Sequence, residues 1–227
     1  LLPELPFGPW LAEADEFDRD RAVFSLTRHD QGLRALASTG AGIAFITSRP
    51  MSGGTRLFNT AVILHPSGAV DSLHDKQVFS DTPGWHETTH FVPGPVRSGR
   101  LTVGRWRIAT LLSAEAMFPE LARAHGRAGA DLILVPRASG ADVELWRISL
   151  RMAALASGSF VASANKVGGC FTGGGMIVAP DGTVLTETTP DAPVGLADLD
   201  RSVSLAAKTH FPTCLRPSPA LPREDLW

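Results

Sequence analysis

Strand-like apolar runs alternate with helix-like segments along this chain of 227 residues, and that alternation predicts a layered α/β fold. Apolar residues at near-helical spacing predict helices over 17–38, 119–127 and 142–157. Apolar runs bounded by turn residues predict strands over 42–47, 59–65, 69–73, 107–112, 131–135, 160–164, 175–179, 183–186 and 193–199. The length suits one domain with a large core, which we expect to cover 1–212.

Both ends of the chain carry expectations of their own. The first residues resemble the end of a strand, and Leu1 is not a natural start residue. We therefore expect an N-terminal strand and helix to be missing before Leu1. Three prolines follow Pro212, so we expect residues 213–227 to form an extended arm.

Charge and composition exclude several classes of function. The formal net charge of −2 leaves no basic excess to neutralise phosphates, which argues against a nucleic-acid partner. No apolar run is long enough to span a bilayer, and no export signal is visible at the start, so we expect no membrane partner. Cys170 and Cys214 are too few for a disulfide framework, and we expect a cytoplasmic location.

Two charged residues lie at the edges of apolar segments and are candidates for catalysis. Glu4 has apolar neighbours, so poor solvation is expected to raise its pKa towards that of a general base. Lys76 follows a predicted hairpin and is suited to stabilising an oxyanion. Taken singly, each has an ordinary interpretation that is favoured: a solvated loop carboxylate, and a surface charge beside Asp75.

Two further candidates come later in the chain. Glu87 lies between aromatic residues and is suited to orienting a lysine or a substrate amine; the ordinary interpretation is an exposed loop acid. Ser113 ends a predicted strand just before a helix, where the backbone N–H of Ala114 is free to face an oxyanion. The ordinary interpretation of Ser113 is a helix cap, and its neighbours do not form the G-x-S-x-G elbow.

Residues 86–90 match the H-E-x-x-H zinc pattern, which requires both histidines on one face of a helix. Pro83-Gly84 precedes the match and Pro93-Gly94-Pro95 follows it, so at most one short helical turn fits. The sequence therefore favours a chance match, and we expect no metal.

In their order along the chain, these segments resemble the motifs of the nitrilase or carbon–nitrogen hydrolase superfamily. Trp10 stands at the place of the family's usual pocket aromatic. The segments that carry the resemblance are 1–5, 59–76, 85–94, 111–120, 129–136, 165–168, 173–175 and 180–182. Together they extend the resemblance over about residues 1–212.

The resemblance implies a Cys-Glu-Lys triad. Glu4 would take the proton of the nucleophile, which then attacks a nitrile or amide carbon to form a covalent intermediate. Lys76 and the N–H of Ala114 would stabilise the tetrahedral intermediate, and Glu87 would support the lysine and the substrate. In this sequence the nucleophile position is occupied by Ser113.

A serine hydroxyl is far less acidic than a thiol, so it is the wrong nucleophile for a carboxylate base. Three explanations stay open: an introduced Cys-to-Ser change that traps a ligand, a natural pseudoenzyme that binds without turnover, and a serine-based hydrolase. Because the rest of the triad is kept, the sequence favours the first. Arg137 and Ala138 lie where the family places substrate contacts; Arg137 is equally well interpreted as pairing with a substrate carboxylate or as a surface arginine.

The fold implied by the resemblance is a four-layer αββα sandwich. Family members associate through helices near the nucleophile, so we expect a homodimer or a larger homo-oligomer. No cofactor is implied. The expected function is hydrolysis of a non-peptide C–N bond in a small amide, nitrile or N-carbamoyl compound; the alternative is a catalytically dead binding or regulatory protein.

Overall fold

The computed structural model describes residues 1–40, 42–97 and 99–210. Its helices are α1 (Arg19–Ser38), α2 (Glu87–His90), α3 (Pro119–Arg127), α4 (Val143–Ser157) and α5 (Arg201–His210). Its strands are β1 (Phe45–Ser52), β2 (Leu57–Leu64), β3 (Val70–Asp75), β4 (Asp81–Thr82), β5 (Trp85–His86), β6 (Arg100–Val103), β7 (Trp106–Thr110), β8 (Leu132–Arg137), β9 (Phe160–Asn165), β10 (Val167–Gly168), β11 (Phe171–Thr172), β12 (Met176–Val178) and β13 (Val184–Glu187). Single 3₁₀ turns cover Leu11–Glu13 and Ser113–Met117.

Two larger sheets organise the chain. The smaller has three antiparallel strands in the order β1-β2-β3. The larger has six strands in the order β13-β12-β9-β8-β7-β6, and its central strands β7, β8 and β9 run parallel. Because these three strands point the same way, their carboxyl ends meet at one edge of the sheet, where α/β proteins usually bind ligands.

Three apolar clusters define the layers. The two sheets face each other through a cluster that includes Ile63 and Leu73 from the smaller sheet and Leu134 from the larger one. Helix α1 covers the other face of the smaller sheet, where Leu33 packs against Val62. Helices α3 and α4 cover the other face of the larger sheet. This arrangement confirms the four-layer αββα sandwich.

Strand β2 illustrates why the layers form. Val62 packs towards α1, while the next residue, Ile63, packs between the sheets, because successive side chains of a strand point to opposite faces. Both faces are covered, so the strand is apolar almost throughout rather than alternating with polar residues.

Local signals set the ends of the helices. The Asp18 side chain caps α1 by accepting hydrogen bonds from the N–H groups of Asp20 and Arg21. Pro119 occupies the first turn of α3, where a missing N–H costs nothing. Helix α4 ends at Gly158, whose φ of 62° is the left-handed conformation that glycine adopts readily.

Two predictions of secondary structure were wrong. Residues 193–199 form no strand: Val194 and Leu196 alternate as in a strand, but both are exposed. Among the described residues, the one hydrogen bond to this backbone comes from the Thr186 hydroxyl to the Leu196 carbonyl. The first residues form no strand end either. Leu2 N–H donates to the Ile46 carbonyl, and the chain then crosses to the other sheet.

The elements that were not predicted include the two-residue strands β4, β5, β10 and β11, strand β6 and helix α5. Strand β6 pairs with β7, and helix α5 follows Asp200, whose carboxylate accepts a hydrogen bond from the N–H of Ser202. The predicted arm over 213–227 lies outside the described residues. No helix within the described ranges is both long and apolar enough to cross a bilayer.

Candidate active site

An ammonium group between two buried carboxylates forms the centre of the site. Lys76 directly follows β3, and its Nζ lies 3.0 Å from Glu4 Oε1 and 2.5 Å from Glu87 Oε1. All three side chains are at most 3% exposed. The structure thus brings together three residues that are separated by up to 83 positions in the sequence.

Backbone contacts position each member of this cluster. Glu4 N–H donates to the Arg137 carbonyl at the end of β8, which fixes the glutamate against the larger sheet. Lys76 N–H donates to the Asn59 carbonyl on β2, in the smaller sheet. The second oxygen of Glu87 accepts the N–H of Ser80 at 2.8 Å, which holds the carboxylate whose other oxygen contacts the ammonium.

The two oxygens of Glu4 are not equivalent. Oε1 accepts hydrogen bonds from Lys76 and, at 2.7 Å, from the side-chain amide of Asn59. Oε2 is buried and has no hydrogen-bond partner among the described residues. A buried oxygen without a hydrogen-bond partner is energetically unfavourable, and such groups often have a functional role. Here Oε2 is the oxygen that is available to accept a proton.

Burial and charge shift the pKa values of this cluster in defined directions. Burial raises the pKa of the Glu4 carboxyl and the nearby Glu87 charge adds to this, while Lys76 opposes both. For Lys76, burial acts to lower the pKa, but the charges and hydrogen bonds of the two carboxylates outweigh it and raise the pKa above its ordinary value. The arrangement therefore favours a charged lysine beside a carboxylate that binds a proton more readily than usual.

Ser113 occupies a strained elbow. Strand β7 ends at Thr110, two residues continue, and Ser113 starts a 3₁₀ turn with a φ of 44°. A non-glycine residue adopts this left-handed conformation rarely, and such strain is concentrated at functional sites. The Ser113 side chain is 5% exposed.

A cavity of about 350 Å³ opens at this elbow. Five of the eight predicted site residues line it: Trp10, Glu87, Ser113, Ala114 and Ala138. Glu4 and Lys76 do not line the cavity. Glu87 does line it and contacts Lys76, which in turn contacts Glu4. This volume fits a small molecule rather than a polymer.

Arg137 is not on the cavity wall. Its guanidinium is buried, stacks over the Trp146 ring at 4.6 Å, and donates to Ser163 Oγ, Ser139 Oγ and the Gly174 carbonyl. Burial lowers its pKa to about 10, with the Glu4 charge opposing. The Arg137 guanidinium is therefore bound by protein groups beside the cavity and is not free to bind a substrate carboxylate.

Several residues of the site were not predicted from the sequence. Asn59 binds Glu4, Trp85 and Trp146 line the cavity, and Glu115 accepts hydrogen bonds from two backbone N–H groups beside the site. The signal for Asn59 was a polar residue inside the apolar run of β2, a position that requires a partner.

The H-E-x-x-H segment is engaged in other contacts. Helix α2 has four residues, Glu87 binds Lys76, and His90 Nε2 lies 2.8 Å from the Ala14 carbonyl. Within the described ranges, no group of three or more His, Cys, Asp or Glu side chains is placed to hold a metal ion.

Comparison with known proteins supports the same architecture. A family profile described as carbon-nitrogen hydrolase matches residues 1–208. Deaminated glutathione amidase from Homo sapiens is 27% identical over 169 residues, which is 69% of this chain and 52% of that protein. A carbon-nitrogen hydrolase structure from Helicobacter pylori G27, at 18% identity, shares the fold with a TM-score of 0.79 over 90% of this chain and 78% of that chain.

A second solved structure is a mutant of an amidase from Nesterenkonia sp. AN1, with a TM-score of 0.71 and 27% identity. The match covers 92% of this chain and 82% of that one. That structure shows covalent addition of the acetamide moiety of fluoroacetamide at its active site cysteine.

The chain shares its αββα fold with these carbon-nitrogen hydrolase and amidase structures. Because the profile covers most of the sequence, the chain belongs to the carbon-nitrogen hydrolase family. It spans about half the length of the curated relative described above.

Proposed function

We propose that this chain carries the active site of a hydrolase for small amides, in which position 113 supplies the nucleophile. The observation that carries the proposal is the Lys76 ammonium held between the buried carboxylates of Glu4 and Glu87, next to a cavity whose wall includes the strained Ser113. In this proposal the active form has cysteine at position 113, and the serine form binds substrate with little or no turnover.

The proposed reaction begins with proton transfer. Glu4 Oε2 takes the proton of the thiol at position 113, and the thiolate attacks the amide carbonyl carbon. The carbonyl oxygen becomes an oxyanion, which the Lys76 ammonium and the Ala114 N–H stabilise. Glu4 returns the proton to the amide nitrogen, the C–N bond breaks, and ammonia leaves an acyl-enzyme behind.

Water completes the proposed cycle. Glu4 removes a proton from a water molecule as it attacks the acyl carbon, and a second oxyanion forms in the same place. When that intermediate collapses, the bond to the sulfur breaks, the carboxylic acid leaves, and the thiol regains its proton. Each step uses the same base and the same ammonium, so the cluster has no need of a further acid or base.

The cavity wall favours a substrate with an uncharged, apolar acyl group. Trp85, Trp146 and Leu145 contribute apolar surface, whereas Glu87 and Asp142 are acidic. No basic side chain lines the cavity within the described part of the chain. The Lys76 ammonium is already paired with two carboxylates, so a substrate carboxylate on this wall would lose its hydration and meet negative charge without a cation of its own.

The first experiment compares the chain as given with its Ser113→Cys and Ser113→Ala variants. Each is incubated with butyramide, with succinamate (similar in length but with a carboxylate), with the corresponding nitrile and with an N-carbamoyl compound. We expect Ser113→Cys to release ammonia from butyramide faster than from succinamate, and to show a transient mass increase equal to the acyl group less the thiol hydrogen that it replaces. The other two proteins should release little.

A folded Ser113→Cys variant that neither releases ammonia nor gains mass with any compound would overturn this proposal. Ser113 itself favours the second candidate, a nitrilase-like binding or regulatory protein without turnover. Ligand-induced changes in tryptophan fluorescence report binding without turnover, because Trp10, Trp85 and Trp146 line the cavity. Binding in all three proteins without turnover in any of them would favour this second candidate.

We also propose that the protein forms a homodimer through the outer face of α4. Leu145, Ile148, Met152 and Leu155 follow one another at helical spacing and are each about half exposed. A stripe of this kind is unfavourable in water unless another surface covers it.

A cytoplasmic location stays a prediction.

Ile148→Glu is expected to convert the proposed dimer to a monomer, because it would bury a charge in an apolar interface. Mass measurement by light scattering at several concentrations checks this. Phe24→Glu is the matched control, since Phe24 is similarly exposed but lies on α1. Equal masses for the chain and both variants would count against the α4 interface.

A further inference from the structure

Glu115 is a buried carboxylate that receives backbone hydrogen bonds from two different layers of the fold. Its Oε2 accepts the N–H of Leu112 at 2.8 Å, and its Oε1 accepts the N–H of Gln77 at 2.8 Å. Leu112 immediately precedes Ser113, and Gln77 immediately follows Lys76. One side chain therefore ties the nucleophile elbow of the larger sheet to the lysine segment that leaves the smaller sheet.

His74 completes the set of contacts on this carboxylate. Its Nε2 lies 2.7 and 2.9 Å from the two Glu115 oxygens, and Glu115 is fully buried. Burial acts to raise the pKa of the Glu115 carboxyl, but the His74 contacts and the two backbone N–H donors outweigh it and hold the pKa below its ordinary value. The carboxylate is thus ionised at neutral pH, when its hydrogen bonds are strongest.

The elbow needs such a constraint. Ser113 is left-handed with a φ of 44°, and a residue in that conformation relaxes unless its neighbours are fixed. The Glu115 backbone N–H also donates to the Leu112 carbonyl at 3.1 Å, so both polar backbone groups of the residue before Ser113 are bound by Glu115.

We propose that Glu115 is a positioning residue that sets the distance between the nucleophile at position 113 and the Lys76 ammonium. It touches neither substrate nor reacting atoms, since its oxygens are occupied by Leu112, Gln77 and His74. The inference rests on the proposed function for its effect on turnover. It also predicts an effect on the nucleophile alone, which can be measured without any turnover.

Two variants at position 115 separate charge from reach, and both are made in the Ser113→Cys background. Glu115→Gln keeps the shape but turns an amide NH₂ towards one of the donors. Glu115→Asp keeps the charge but is one methylene short, so it cannot reach both N–H groups. The exposed Glu120 lies on α3, and Glu120→Gln is the matched control.

We expect both variants to lower kcat per folded molecule by on the order of 10²-fold, because a misplacement of about 1 Å costs that much. KM should change much less, since no residue of the cavity wall is altered. Alkylation by iodoacetamide, followed by peptide mass mapping at position 113, should also slow, but less than turnover, because alkylation does not use Lys76. Glu120→Gln should match its parent in all three measurements.

Cooperative thermal unfolding gives the folded fraction by which every rate is divided. Losses of kcat and alkylation that disappear after this correction would assign Glu115 a structural role only and overturn the inference. If the Ser113→Cys parent releases no ammonia, the proposed function fails, and alkylation alone then decides for Glu115. A slower rate in both variants supports the inference, and an unchanged rate overturns it.

Discussion

Replacing Lys76 with methionine is expected to lower the free energy of unfolding by about 3–5 kcal/mol at neutral pH, because it leaves buried carboxylates without their counter-ion. Lys76 is 1% exposed and contacts both Glu4 and Glu87, so water cannot take the place of the ammonium. Methionine has a similar length and no charge, which limits the change to electrostatics and hydrogen bonding. The same change in the Ser113→Cys background should lower kcat by about 10²–10³-fold, as expected for a lost oxyanion partner.

The pH dependence identifies the cause. The pKa of Lys76 is raised in the folded protein, so its stabilising contribution is fully present at every pH below the ordinary lysine pKa. In Lys76→Met the pKa of the Glu4 carboxyl is still raised by burial and is no longer lowered by the ammonium. Protonation then relieves the repulsion, so the deficit should be largest at pH 8 and should shrink towards pH 5.

Urea denaturation at both pH values measures this deficit. The double variant Lys76→Met/Glu87→Gln is the control, since it removes one of the two charges together with the ammonium. It should be more stable at pH 8 than Lys76→Met alone. A deficit that is the same at both pH values, and not reduced in the double variant, would show that lost packing rather than charge causes it.

Local patterns were enough to predict most of the fold. Helix α3 was predicted over the residues it occupies, because Pro119 marks its first turn. Apart from β6, each strand of the two larger sheets was predicted with its ends within five residues, because apolar runs end at turn residues. The strand predicted over 193–199 was wrong, because alternation predicts a strand only where one face is covered, and Val194 and Leu196 are exposed.

The candidate site, like the fold, could be predicted from the sequence only in part. Glu4, Lys76 and Ser113 were candidates because each lies beside an apolar run, but only the order of the motifs, which resembles the family, predicted that they share one site. Glu115 was not assigned any role, because its partners Gln77 and His74 lie 38 and 41 positions away and only the packing of the two sheets brings them near. For Arg137 the sequence indicated a charge near the cavity but could not indicate that the side chain turns beneath Trp146.

Glu4→Gln in the Ser113→Cys background is expected to lower kcat/KM by about 10²–10⁴-fold, the usual contribution of a general base. The substitution keeps an oxygen that can accept from Asn59 and Lys76, so the contacts of Oε1 persist. What it removes is the ability of the second oxygen to take a proton. Glu13→Gln is the matched control, because Glu13 is exposed and lies in the 3₁₀ turn that follows in sequence.

The pH profile of Glu4→Gln separates a general base from a residue that only supports the fold. In the parent, the acid limb of kcat/KM should follow Glu4, whose pKa burial raises. In the variant, hydroxide must form the thiolate, so activity should rise with pH towards the ordinary thiol pKa of about 8.5. The ratio of parent to variant should therefore fall as the pH rises; a ratio that is constant from pH 6 to pH 9 would mean that Glu4 does not take the proton, and that another group serves as the base.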